Sequence, residues 1–166
     1  TTTHTYNSQG RISKTETTGR PDTLYEYDEL GNRVATCIDA DDDGVWDYSG
    51  TDRISSNSVE YTQHNGEWVR ETKSYLYAQD NTNTATLVST RREWVPAELG
   101  SAAPAPYDGD LTAKSTTTDI HDNTTTRYTY TDATNKKVTQ VVDHPDSTTD
   151  AVTVTVNGLV TEQTSK

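Results

Sequence analysis

Tyr25-Glu26-Tyr27-Asp28-Glu29-Leu30-Gly31-Asn32-Arg33 decides how the rest of this chain is read. Tyrosines at alternate positions put both rings on one side of an extended strand. An Asp then opens a turn, and a Gly near its end supplies the positive φ that a tight reversal needs. Arg33-Val34-Ala35-Thr36-Cys37-Ile38 leads away as the returning strand. Upstream, Tyr6-Asn7-Ser8-Gln9-Gly10-Arg11 repeats the arrangement and runs into Ile12-Ser13-Lys14-Thr15. Tyr6 and Tyr27, like Gly10 and Gly31, are separated by the same interval of 21 residues. A recurrence of this length marks a unit that buries its apolar face against its neighbours.

Further along, the same scheme is spelled more loosely. Val59-Glu60-Tyr61-Thr62 turns at Asn65-Gly66 into Trp68-Val69-Arg70-Glu71-Thr72. Ser74 to Gln79 and Thr86 to Val95 form a further pair around Asp80-Asn81-Thr82-Asn83. Thr126-Arg127-Tyr128-Thr129-Tyr130 turns near Ala133 to Lys136 into Val138-Thr139-Gln140-Val141-Val142, and Ala151 to Val156 turns at Asn157-Gly158 into Leu159-Val160-Thr161. Asn-Gly between alternating strands is a strong hairpin signal. Period two recurs throughout, with no amphipathic helix. The expectation is an all-β antiparallel hairpin meander forming a curved, twisted sheet, with a β-sandwich as the alternative. Residues 1–95 carry the first hairpins, the Pro-, Ala- and Gly-rich residues 96–110 read as a surface loop, and residues 111–166 continue the same sheet. The Thr-rich residues 115–126 read as a strand and turn.

The Tyr-Asp-x-x-Gly-Asn-Arg unit at 27–33, preceded by Tyr25 and matched at 6–11, resembles the YD-repeat (Rhs-type) family. That resemblance implies short hairpin repeats winding into a large curved sheet, as in bacterial toxin cocoons and teneurin-type barrels. Its repeat-turn residues here are Tyr6, Gly10, Arg11, Tyr25, Tyr27, Asp28, Gly31 and Arg33. The match is specific over about residues 1–40 and diffuse beyond, where Asp28 finds no good equivalent.

Composition bounds the function. The chain has 166 residues, 30% hydrophobic, with no Phe or Met, and a net charge of −12. Mean hydropathy is −0.91. Ten Tyr, three Trp and abundant Thr supply strand formers, so the core is expected to rely on aromatic rings and Thr methyls. The acidic balance argues against nucleic acid, whose phosphates need Lys and Arg, and against anionic lipid surfaces. No stretch is apolar enough for a membrane span. Cys37 is the single cysteine, so an internal disulfide is ruled out. A start at Thr-Thr-Thr-His, with no initiating Met or signal peptide, reads as a processed product or an excerpt of a longer chain.

Downstream of the repeat turn, Asp39-Ala40-Asp41-Asp42-Asp43-Gly44-Val45-Trp46-Asp47 has the pattern of a calcium loop. Asp39, Asp41, Asp43 and Asp47 offer carboxylates, the Val45 carbonyl adds an oxygen, and Asp52 is a reserve ligand. The twelfth position is Gly50 where an EF-hand needs Glu, and the flanks are strands, so an EF-hand is excluded. A bound Ca2+ here is expected to be structural; the competing reading is an acidic hairpin turn without metal. Asn123-Thr124-Thr125 is an N-glycosylation sequon, and the Thr clusters at 1–3, 116–118 and 124–126 are candidates for O-linked sugar. His4, His64, His121 and His144 lack metal-ligand spacing, and no catalytic constellation occurs, so an enzyme is not expected.

The function these residues suggest is an extracellular or cell-surface scaffold of YD-like hairpins, assembling end to end. Its partners are copies of itself or adjoining repeats of a longer chain, because residues 158–164 read as the half-unit after a turn and residues 1–6 as the half-unit before one. The strand Val152 to Val156 is the candidate for pairing with another chain. The alternatives are a fragment of a toxin-encapsulating shell, or a carbohydrate-binding or adhesive module using Trp46, Trp68 or Trp94.

Overall fold

The computed structural model describes residues 1–99 and 107–165, so residues 100–106 of the expected surface loop lie outside the described residues. The strands are β1 (Thr2–Tyr6), β2 (Ile12–Thr17), β3 (Arg20–Tyr27), β4 (Arg33–Asp39), β5 (Arg53–His64) and β6 (Glu67–Tyr77). They continue with β7 (Thr86–Trp94), β8 (Asp110–Asp119), β9 (Thr124–Asp132), β10 (Lys137–Asp143), β11 (Ala151–Val156) and β12 (Leu159–Thr164). One turn of 3-10 helix, Pro96–Glu98, follows β7. All twelve strands form a single sheet in chain order, an antiparallel meander that does not close into a barrel. The fold is therefore the expected meander and not a two-sheet sandwich. Trp68 to Thr72 and the stretch from Ser74, read separately in the sequence, are one long strand, β6.

Two compact units divide the chain: Thr1–Ser58 with Lys73–Val88, and Val59–Thr72 with Ser89–Lys166. In the first, the register places Lys14, Leu24, Cys37 and Ile54 opposite one another in turn across β2 to β5. Leu24, Cys37 and Ile54 are buried at 5%, 0% and 0% exposure, and Trp46, Tyr48 and Tyr77 pack against them. Tyr48 meets Tyr77 edge to face at 4.9 Å, the geometry that the ring quadrupoles favour. In the second unit Val69, Val141, Tyr130, Trp94 and Thr139 are buried, and Tyr107 stacks on Tyr130 at 5.2 Å.

The cores combine the rings and threonines expected from composition with aliphatics: Trp94, Tyr130, Thr90 and Thr139 are buried, beside the fully buried Ile54, Val69, Val141 and Cys37. In the first unit the rings of Trp46, Tyr48 and Tyr77 are only partly buried against the aliphatic cluster. Each fully buried aliphatic contributes about 1.5–3 kcal/mol relative to exposure.

Candidate functional site

Period-two alternation carries Ala35, Cys37 and Asp39 onto the same buried face of β4, which is why Asp39 is a fully buried carboxylate. Register then sets Asp22 of β3 directly opposite Asp39. Asp22 is itself buried and receives Lys14 at 2.5 Å. That contact, followed by Glu16, pushes the Lys14 ammonium above its ordinary range.

The residues that follow fold back over Asp39. Its carboxylate accepts the N–H of Asp43 at 3.2 Å and of Gly44 at 2.8 Å, and Asp43 in turn accepts the N–H of Val45 at 2.8 Å. Asp42 and Gly44 take positive φ values of 63° and 77°, which the tight winding requires. The carboxylate oxygens of Asp39, Asp41 and Asp43 lie within 4.8 Å of one another, as do those of Asp22, Asp39 and Asp42. Burial, with Asp43 and Asp52 adding repulsion, pushes the Asp41 carboxyl up. The negative charge of Asp22, with burial, does the same to Asp42. Among the described residues no Lys or Arg pairs with Asp39, Asp41 or Asp43, so these are the residues that could hold a divalent cation.

Structure separates the other loop acids from this cluster. Asp47 turns its Oδ1 to the N–H and hydroxyl of Ser49, and its carboxylate occupies the space where a Cβ on Gly50 would sit. Asp52, the reserve ligand of the sequence reading, is committed elsewhere. Its oxygens accept the Ala40 N–H at 2.9 Å, the Asp47 N–H at 3.1 Å and the Cys37 thiol at 3.2 Å. Burial pushes Asp52 up, yet those N–H groups, the thiol and Arg53 outweigh it and hold its carboxyl below the ordinary value. The same environment drives Cys37 up to about 12, through burial first and Asp52 second, so the thiol stays protonated and inert. Val45 is exposed at the loop surface.

The repeat turns form a second set. In turn one, the Asn7 N–H donates to the Arg11 carbonyl and the Gly10 N–H to the Asn7 carbonyl, while Asn7 Oδ1 accepts from Gln9 and Arg11. In turn two, Asp28 and Asn32 make the same closure, and Asp28 also accepts the Asn32 side-chain amide at 2.9 Å. Arg11 lies over the Tyr27 ring at 5.7 Å and fills the space that a Cβ on Gly31 would take, and Tyr27 Oη donates to the Ile12 carbonyl. Arg33 lies over Tyr25 at 5.5 Å, whereas Tyr6 is 58% exposed.

A third copy of this turn corrects the reading that Asp28 has no equivalent. Asp119 closes on Asn123 with the same backbone pair, accepts the N–H of both His121 and Asn123, and receives the Asn123 amide at 3.1 Å. Asp122 takes the left-handed position, φ 62°, that Gly fills in the other two. The sequence signal was an Asp followed by Asn four residues later; the missing Gly concealed it. Asn123 of the sequon is thus exposed, with its amide held in a turn. Of the three tryptophans, Trp94 is buried, Trp46 belongs to the core of the first unit, and Trp68 is 46% exposed.

No protein-family model, curated protein or solved structure matches this chain.

Proposed function

We propose that this chain is a non-enzymatic scaffold segment, extracellular or cell-surface, built of YD-like hairpins that extend by pairing at the sheet edges. The observation that carries this reading is the open order of the meander: β1 and β12 each have one strand neighbour, and every residue of both is exposed. An uncovered edge is a row of unpaired N–H and C=O groups that accepts a further strand. Leu159 and Val160 add apolar surface there, at 72% and 62% exposure. β11, the strand favoured by the sequence, already has β10 and β12 on its two sides, so pairing falls to β12. The added strand comes from a second copy or from an adjoining repeat, and the turn that recurs at Asn7, Asp28 and Asp119 supplies the repeating unit.

Asn157-Gly158 is a two-residue turn with both φ values positive, which makes Val156 and Leu159 the hydrogen-bonded pair. Thr155 and Val160 are then the non-bonded pair, and the Val160 N–H faces the free edge. Val160→Pro removes that donor while sparing the ladder to β11. Sedimentation and electron microscopy of the wild type should show end-to-end oligomers that V160P abolishes without lowering the melting temperature. A wild type that stays monomeric over the whole soluble range refutes pairing between copies. An intact native polypeptide well above 18.4 kDa assigns the edges to adjoining repeats.

In this reading the acidic loop is a join between β4 and β5, and a Ca2+ held by Asp39, Asp41 and Asp43 stiffens it. Calorimetric titration should give a heat of binding that Asp41→Asn with Asp43→Asn removes; a flat wild-type trace eliminates the ion.

A further inference from the structure

The second unit has a face that no part of the scaffold reading uses. Alternation divides its residues between two sides, and Val69, Trp94, Tyr130 and Val141 are buried on one of them. On the opposite side the register sets Glu93 beside Ser115, Ser115 beside Arg127 and Arg127 beside Val142. The adjacent rank has Ala113 beside Thr129 and Thr129 beside Gln140. Arg70 joins the first rank through a 2.9 Å bond to Glu93, and Trp68 joins the second, its carbonyl accepting the Val95 N–H. From β6 to β10, at a strand spacing of about 4.8 Å, each rank is about 19 Å long. An open groove of about 470 Å³ lies along Arg91, Glu93, Arg127, Thr129 and Gln140.

The charge of this groove is opposite to that of the molecule. The chain as a whole carries −12, yet Arg91 and Arg127 line the groove with one carboxylate, Glu93; Asp119 and Asp146 adjoin Arg127 only beyond its end. Glu93 is neutralised by Arg91 at 2.8 Å and Arg70 at 2.9 Å. Arg127 is exposed and has no carboxylate partner among the described residues. The groove therefore keeps a surplus of guanidinium, whose fork suits carboxylate or sulfate. Hydroxyl and amide groups of Ser115, Thr129 and Gln140 stand between, and Trp68, half exposed on the neighbouring β6, offers an apolar plane beside the groove. A long, shallow, polar groove with one aromatic platform lacks the apolar centre of a protein interface. Its single basic strip within an acidic molecule suits a polymer of modest charge density, not a duplex with a charge every ~1.7 Å.

We propose that this face of β6 to β10 binds an anionic polysaccharide, with Arg127 pairing to its acidic groups and Trp68 stacking on a sugar ring. The test uses the full chain, titrated by calorimetry with polygalacturonate (carboxylated), dextran sulfate (sulfated), neutral dextran and polyglutamate. The expected result is binding of polygalacturonate, dextran sulfate or both, weakened by salt, with neither neutral dextran nor polyglutamate binding comparably. Arg127→Gln and Trp68→Ala, each with an unchanged circular-dichroism spectrum, should each weaken binding about tenfold or more, as loss of a charge-assisted contact implies. Which of the two polymers binds identifies the acidic group. Failure of both to bind, equal binding of polyglutamate or neutral dextran, or an affinity unaltered in either variant overturns the proposal.

Discussion

Asn7, Asp28 and Asp119 do one task with different chemistry. Each caps its own turn by accepting backbone N–H groups, but Asp28 and Asp119 also carry a charge that their Asn partners hold. The side-chain bond from Asn32, against some burial, pulls the Asp28 carboxyl below its ordinary range, and Asn123 does the same for Asp119. Because the folded-state pKa is depressed, the stabilisation is complete above the unfolded carboxylate range and is lost as pH falls through the folded value. Thermal unfolding of wild type and Asp28→Asn should therefore differ most near neutrality and converge in acid. The Asn variant keeps the acceptor, as Asn7 demonstrates; Asp28→Ala loses it and should lower the urea midpoint below that of Asp28→Asn. Gly31→Ala should cost about 1 kcal/mol as well, because φ is +90° there and the new methyl displaces the Arg11 guanidinium.

At the scale of the elements, the acidic loop owes its conformation to two carboxylates at its ends. Asp39 gathers the N–H groups of Asp43 and Gly44, and Asp52 ties Ala40 to Asp47. Asp52→Ala leaves two backbone donors and a thiol without their acceptor, so unfolding free energy should fall by roughly 2–3 kcal/mol. Amide exchange should quicken at Ala40 and Asp47, while Asp47→Ala, whose carboxylate serves a surface turn, should change both far less. The sequence showed that this stretch was acidic and had the spacing of a calcium loop. It did not show which acids face the strands and which hold the loop, because that depends on register: Asp22, distant in sequence, arrives opposite Asp39 through the β3–β4 ladder. The third turn was hidden for the opposite reason. Its hydrogen bonds are local, but Asp122 accepts the left-handed conformation that the reading had reserved for Gly.

Across the whole molecule, protection should follow position in the strand order. β4 and β10 have neighbours on both sides and carry fully or nearly fully buried residues, so their amides should exchange slowest; β1 and β12 should exchange fastest. In the first unit, Ile54→Ala truncates the largest fully buried side chain of the Leu24–Cys37–Ile54 core and should destabilise by about 2–4 kcal/mol, read from denaturant midpoints. Alternation, Asn-Gly turns and the recurring Tyr-Asp unit were enough by themselves to determine an all-β meander of hairpins, because these signals act over a few residues and each hairpin is a local object. Only the tertiary structure decided which aliphatics form the cores, which acids converge, that β11 is covered on both sides, and that three arginines share one face. Each of those results comes from pairing registers accumulated across several strands, and a one-residue shift in any of them would move every later side chain to the opposite face.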